Sequence, residues 1–112
     1  MEIKGNAKLI RIFVGETDLI KHIPVYERIV LEARKNHLAG ATVIKGVMGF
    51  GKTSIIHTSK ILRLSENMPI LIEIVDEEEK IQNFLPIIHD IFEEARSGGL
   101  ITMEKVEILK YV

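Results

Sequence analysis

Branched and aromatic residues crowd positions 8–14, where the chain reads KLIRIFV, and Gly15 closes the run. That pattern predicts a first strand. Thr17 or Asp18 then starts a turn. Pro24 suits a first helical position, and residues 24–38 are expected to form a helix. Within it Tyr26, Ile29, Val30, Ala33 and His37 recur on one face. Gly40 is the expected stop, because glycine takes a left-handed cap freely. Residues 41–48 read as a second strand, broken by Gly49, Phe50 and Gly51. The stretch 52–67 follows no clear period. It is rich in hydroxyls at Thr53, Ser54, Thr58 and Ser59, then apolar at Ile61, Leu62 and Leu64. It reads as a long mobile loop or ribbon that rejoins the sheet, and a loop of such length is usually functional.

Residues 69–75, PILIEIV, give the clearest strand. Asp76, Glu77, Glu78 and Glu79 place acids where a helix dipole favours them. Ile81, Phe84, Leu85, Ile88, Phe92 and Ala95 form the amphipathic stripe of a second helix. Pro86 lies inside that stripe and should kink the helix or shift its start. Gly98 and Gly99 are expected to end it. Residues 100–109 read as a last strand, with a break near Glu104. The order is β-α-β-β-α-β, an α+β, ferredoxin-like sandwich in one domain over residues 1–112. Two helices would cover one face of a four-stranded antiparallel sheet. The strands are apolar on both sides, so the other face should meet a partner, most simply further copies of the same chain.

Composition narrows the function classes. At 112 residues the chain can build one core, and with 5% aromatics that core rests on Ile, Leu and Val. A net charge of −1 supplies no global field for nucleic acid. The absence of cysteine rules out a disulfide framework, a thiolate metal site and a cysteine nucleophile. The start, MEIKGNAKLIRIF, shows no signal-peptide pattern, and no apolar run nears the roughly 18 residues of a membrane span. The expectation is a cytoplasmic protein that is not membrane-inserted.

The candidate chemistry lies in GVMGFGKT, from Gly46 to Thr53. It completes the phosphate-binding pattern G-x-x-x-x-G-K-[ST]. There Lys52 would reach phosphates and Thr53 would hold Mg²⁺. Such a loop must open a helix, whose N-terminus supplies much of the anion binding. The residues that follow, SIIHTSK, are β-branched and hydroxyl-rich and make a poor helix start. Two helices are also too few to cover both faces of the parallel sheet that usually surrounds this loop.

The same residues fit V-x-G-F-G-[KR] from Val47 to Lys52. Together with GATVIKGVMGFG at 40–51, the segment 54–64, PILIEIVD at 69–76 and GLITMEKVEI at 99–108, the chain resembles a PII-like family of small uncharacterised bacterial and archaeal proteins. The likeness to the PII nitrogen-regulatory signalling proteins is more distant. The resemblance implies a homotrimer with sheets packed around a central axis. It implies an adenine nucleotide, ATP or ADP, in clefts between subunits. It makes 52–67 a T-loop-like segment that docks on a partner, with a membrane transporter or channel as the implied partner.

Residue by residue, Gly49, Gly51 and Lys52 match the base of that loop, where backbone N–H groups and a cation meet phosphate. Gly98 and Gly99 match the second glycine-rich loop, although Leu100 stands where PII proteins have a lysine. The two arginines that PII proteins carry on the last strand are missing, and only Lys110 could substitute.

His22, His37 and His89 are scattered, without the i,i+4 pairing of a metal site, and His57 reads as a solvated loop histidine. Glu73, inside an apolar strand, reads as a structural residue pairing at a subunit boundary. No catalytic constellation stands out, so the protein is not expected to be an enzyme. The leading expectation is a nucleotide-binding regulatory protein. The alternatives are a small P-loop phosphotransferase and a ligand-free interaction module.

Overall fold

The computed structural model describes residues 5–53, 55–60 and 67–112. A four-stranded antiparallel sheet is formed by β1 (Gly5–Gly15), β4 (Thr42–Lys45), β7 (Pro69–Asp76) and β8 (Leu100–Ile108), in the order β4-β7-β1-β8. Helices α1 (Val25–Lys35) and α2 (Glu78–Ala95) connect them. This is the ferredoxin-like arrangement. Two short ribbons complete the described elements: β2 (Leu19–Ile20) with β3 (Ile23–Pro24), and β5 (Met48–Gly49) with β6 (His57–Thr58).

Period-two alternation divides the sheet into two faces. Ile10, Ile12 and Val14 of β1 and Ile70, Ile72 and Ile74 of β7 are buried beneath the helices. Val25, Ile29 and Ala33 of α1 meet them, as do Ile81, Phe84, Ile88 and Ile91 of α2. Each helix thus turns one stripe at i, i+3/i+4 spacing onto the sheet. Pro86 remains inside α2 without ending it. Both Pro86 and Gln82, whose carbonyl loses its usual partner, are exposed, so that carbonyl can turn to water.

Several boundaries differ from expectation. Helix α1 ends at Lys35, and His37, not Gly40, takes the left-handed conformation at φ 59°. His37 therefore lies outside the helix and is exposed. Helix α2 ends on Arg96, with φ 55°, before Gly98 and Gly99 are reached. The β2–β3 hairpin turns through Lys21 and His22, both at positive φ as a two-residue I′ turn requires. Without an Asn-Gly or Asp-Gly pair, nothing in the sequence flags that turn. Strand β8 runs unbroken through Glu104. Asp76 is fully buried instead of lying in the first turn of α2. Its carboxylate accepts hydrogen bonds from the backbone N–H of Ala39 (2.9 Å) and of Glu77 (2.7 Å).

The strand expected at 41–48 is two elements. Thr42–Lys45 pairs with β7, and Met48–Gly49 leaves the sheet to pair with His57–Thr58. The break falls at Gly46, where a Cβ would lie 2.8 Å from Pro69 Cγ. The Gly46 N–H donates to the Pro69 carbonyl at 2.8 Å. Pro69 has no N–H to extend the ladder, so the sheet ends there. The expected loop 52–67 includes residues 54 and 61–66, which lie outside the described residues.

Candidate functional site

The second face of the sheet carries no helix. Strand register aligns Ile44, Leu71, Phe13 and Leu100 in one apolar row across all four strands. Phe13, Ile44 and Leu100 are all exposed. The next row is Thr42, Glu73, Arg11 and Thr102. Arg11 Nε donates to Glu73 Oε2 at 2.9 Å, and its Nη1 donates to Glu104 on the neighbouring strand. The hydrogen bond to Glu73, then that to Glu104, raises the guanidinium pKa above its ordinary value. Glu73 is thus paired within its own chain, across 62 residues of sequence.

At the Asp76 end of this face is a cleft of about 670 Å³. Leu9, Val75 and Val106 give it apolar walls, and Thr42, Glu73 and Lys110 give it polar ones. Residues 109–111, which follow β8, run along its edge, and Tyr111 Oη donates to the Ala39 carbonyl at 2.6 Å. The size suits a small ligand. Tyr111 and Thr42 did not emerge from local pattern, because a contact between positions 39 and 111 leaves no periodic trace.

The six expected site residues fall in three places. Gly49, Gly51 and Lys52 lie beyond β4, at the Pro69 end of the sheet. Gly98 and Gly99 precede β8 at the same end, beside Phe13. β4 and β8 are the two edges of the sheet, about 14 Å apart at ordinary strand spacing. Lys110 stands at the other end, beside the cleft, after about 26 Å of strand from Leu100 to Ile108. One chain therefore does not bring the three groups together.

The glycines also divide by cause. A Cβ at Gly49 would come within 3.2 Å of Pro69 Cγ, and one at Gly99 within 2.7 Å of the Phe13 carbonyl oxygen and 2.9 Å of Phe92 Cζ. Packing within the chain accounts for both. Gly51 and Gly98 have nothing among the described residues within 4 Å of that position, so on that side their surroundings are open to a ligand or a second chain. Gly99→Ala is accordingly expected to destabilise the fold by about 1–3 kcal/mol through overpacking, read from urea denaturation. Gly98→Ala should change stability far less.

Lys52 and Thr53 lie in a turn that leads to β6, not at the start of a helix. The helix N-terminus that a P-loop requires does not follow them.

A family model, DUF190 (Uncharacterized ACR), matches residues 7–108. The chain belongs to the DUF190 family. A UPF0166 protein of Aquifex aeolicus is 39% identical, over 91% of this chain and 92% of its own length. A UPF0166 protein of Methanocaldococcus jannaschii is 33% identical over 94% of each. Among solved structures, this DUF190 chain is similar to CPII from Thiomonas intermedia K12, a nitrogen regulatory PII-like protein bound to ADP, AMP and bicarbonate. The TM-score is 0.70, with 16% identity, 92% of this chain covered and 88% of that one. The divalent ion tolerance protein CutA1 of Ehrlichia chaffeensis gives a TM-score of 0.57 at 12% identity, over 96% of this chain and 86% of its own. At such identities the likeness establishes the PII-like, ferredoxin-like fold. Among the described residues of this DUF190 chain, no helix is long and apolar enough to cross a membrane.

Proposed function

We propose that this DUF190 chain is a cytoplasmic, PII-like regulatory protein and not an enzyme. It assembles as a homotrimer through its open sheet face. It binds an adenine nucleotide, ATP or ADP, between subunits. Its segment 52–67 carries the bound state to a partner protein, a membrane transporter or channel.

The observation that carries this reading is the division of the candidate site. Gly51 with Lys52, Gly98, and Lys110 with the cleft lie at three separate places on one sheet. A second copy of the chain would bring them to one ligand. The exposed apolar row on the open face provides the contact that would do so. CPII, with the same fold, binds ADP and AMP, which supports the choice of ligand.

In this reading Lys52 supplies a point charge for phosphate, and Gly51 and Gly98 let backbone N–H groups approach it. The nucleotide changes the loop only as far as it binds one loop state better than another. Isothermal titration with ATP, ADP and AMP, with and without Mg²⁺, tests the proposal alongside light scattering. Saturable binding near one nucleotide per chain, by a trimer, is the expected result. Lys52→Ala should weaken binding about tenfold, the worth of one charge-assisted contact, while the mass stays unchanged. Unaltered affinity in that variant removes Lys52 from the site, and Mg²⁺-dependent hydrolysis by the wild type would restore the phosphotransferase reading.

A further inference from the structure

Charge is segregated along this chain. Residues 33–60 hold five of its fifteen basic residues (Arg34, Lys35, Lys45, Lys52 and Lys60) and none of its sixteen acids. The stretch carries +5 and the remainder of the chain −6. Its far end is the β5–β6 ribbon. Lys45, at the root, is paired with Glu16 at 2.9 Å. Lys52 and Lys60 are exposed and make no ion pair with the described residues.

The ribbon is also strongly apolar. Within ten residues it presents Val47, Met48, Phe50, Ile55 and Ile56, each more than half exposed. Of the five, Met48 lies in β5, Val47 at the bend before it, and Ile55 and Ile56 in the connection that leads to β6.

We infer that this ribbon seats on an anionic lipid surface, its apolar side chains entering the headgroup boundary and Lys52 and Lys60 meeting the anionic headgroups. An apolar segment with cations alone matches a medium that is negative at its surface and apolar beneath. The acidic remainder of the chain is repelled by the same surface, so the ribbon would lead. This inference does not depend on nucleotide binding.

The test is flotation of the full chain with phosphatidylcholine vesicles, with and without phosphatidylglycerol. Binding is expected only with the anionic lipid. It should fade as salt approaches about 1 M, where the screening length is about 3 Å. Lys60→Gln should weaken it about fivefold, the worth of one basic residue near such a surface. The double variant Ile55→Ser/Ile56→Ser should weaken it about tenfold or more. Unchanged circular dichroism and an unchanged urea midpoint serve as the folding control for both variants. Absence of flotation with anionic vesicles overturns the inference and leaves the ribbon to a protein partner. Flotation unaffected by these substitutions assigns the lipid contact to another surface and also overturns it. Salt-sensitive growth in mass without vesicles would make the acidic body of a second copy the occupant and would overturn it too.

Discussion

Asp76→Ala is expected to lower the stability of the fold by about 3 kcal/mol, the scale for two hydrogen bonds to a charged acceptor whose donors are left unpaired. The carboxylate is fully buried at the junction between β7 and α2. One oxygen receives the Glu77 N–H, and the other receives the Ala39 N–H from the connection between α1 and β4. A single side chain thus fastens two crossovers of the fold. Asp76→Asn keeps the shape but offers one carbonyl oxygen, so about half of the loss should remain. Urea denaturation at fixed protein concentration separates these values from any change in assembly. The effect should reach the cleft as well, because the segment that Asp76 holds at Ala39 also receives the Tyr111 hydroxyl. A loss below about 0.5 kcal/mol, the level of an ordinary surface substitution, would mean that the Ala39 connection holds its position without Asp76.

Asp76 also shows where sequence reading succeeds and where it stops. Strands β1 and β7 and helix α2 are legible because burial imposes a period, and the period is written in neighbouring residues. The acid at 76 is legible as an acid near a helix start. One of its two partners is 37 positions away, and no local pattern encodes that pairing. The same holds for Arg11 with Glu73 and for Tyr111 with Ala39. Glu73 reads as a residue pairing at a subunit boundary only while its strand is seen without the strand beside it.

Glycine misleads in a different way. Gly40 and the pair at 98–99 read as helix stops, yet His37 and Arg96 take the left-handed turns. Gly46, Gly49 and Gly99 instead leave room for Pro69, Phe13 and Phe92, which are close only in the folded chain. Glycine marks a constraint in sequence, but whether that constraint is torsion, packing or a ligand is decided by the third dimension. Of the glycines in the candidate site, Gly51 and Gly98 retain space that the described residues do not fill.

The open face gives the second large expectation. If copies of the chain meet through this face, as proposed, Phe13→Asp should leave a folded single chain of 12.7 kDa, as measured by light scattering. Phe13 occupies an inner position of the apolar row, between Leu71 and Leu100. In one chain it is exposed, so an aspartate there meets water and the monomer fold should change by about 1 kcal/mol or less. Between copies, the same carboxylate would be buried among apolar side chains with no partner, and an unpaired buried charge costs several kcal/mol per ion. Arg11 cannot rescue it, being already held by Glu73 and Glu104. Phe13→Leu, which keeps the apolar surface, should still assemble. Because the candidate site is divided among separate places on the sheet, Phe13→Asp should also abolish nucleotide binding, although Gly51, Lys52, Gly98 and Lys110 are all untouched. Assembly that survives Phe13→Asp would exclude the open face as the contact. A monomer that binds nucleotide with wild-type affinity would show that one chain holds the whole site, and the reading of a site shared between subunits would fall.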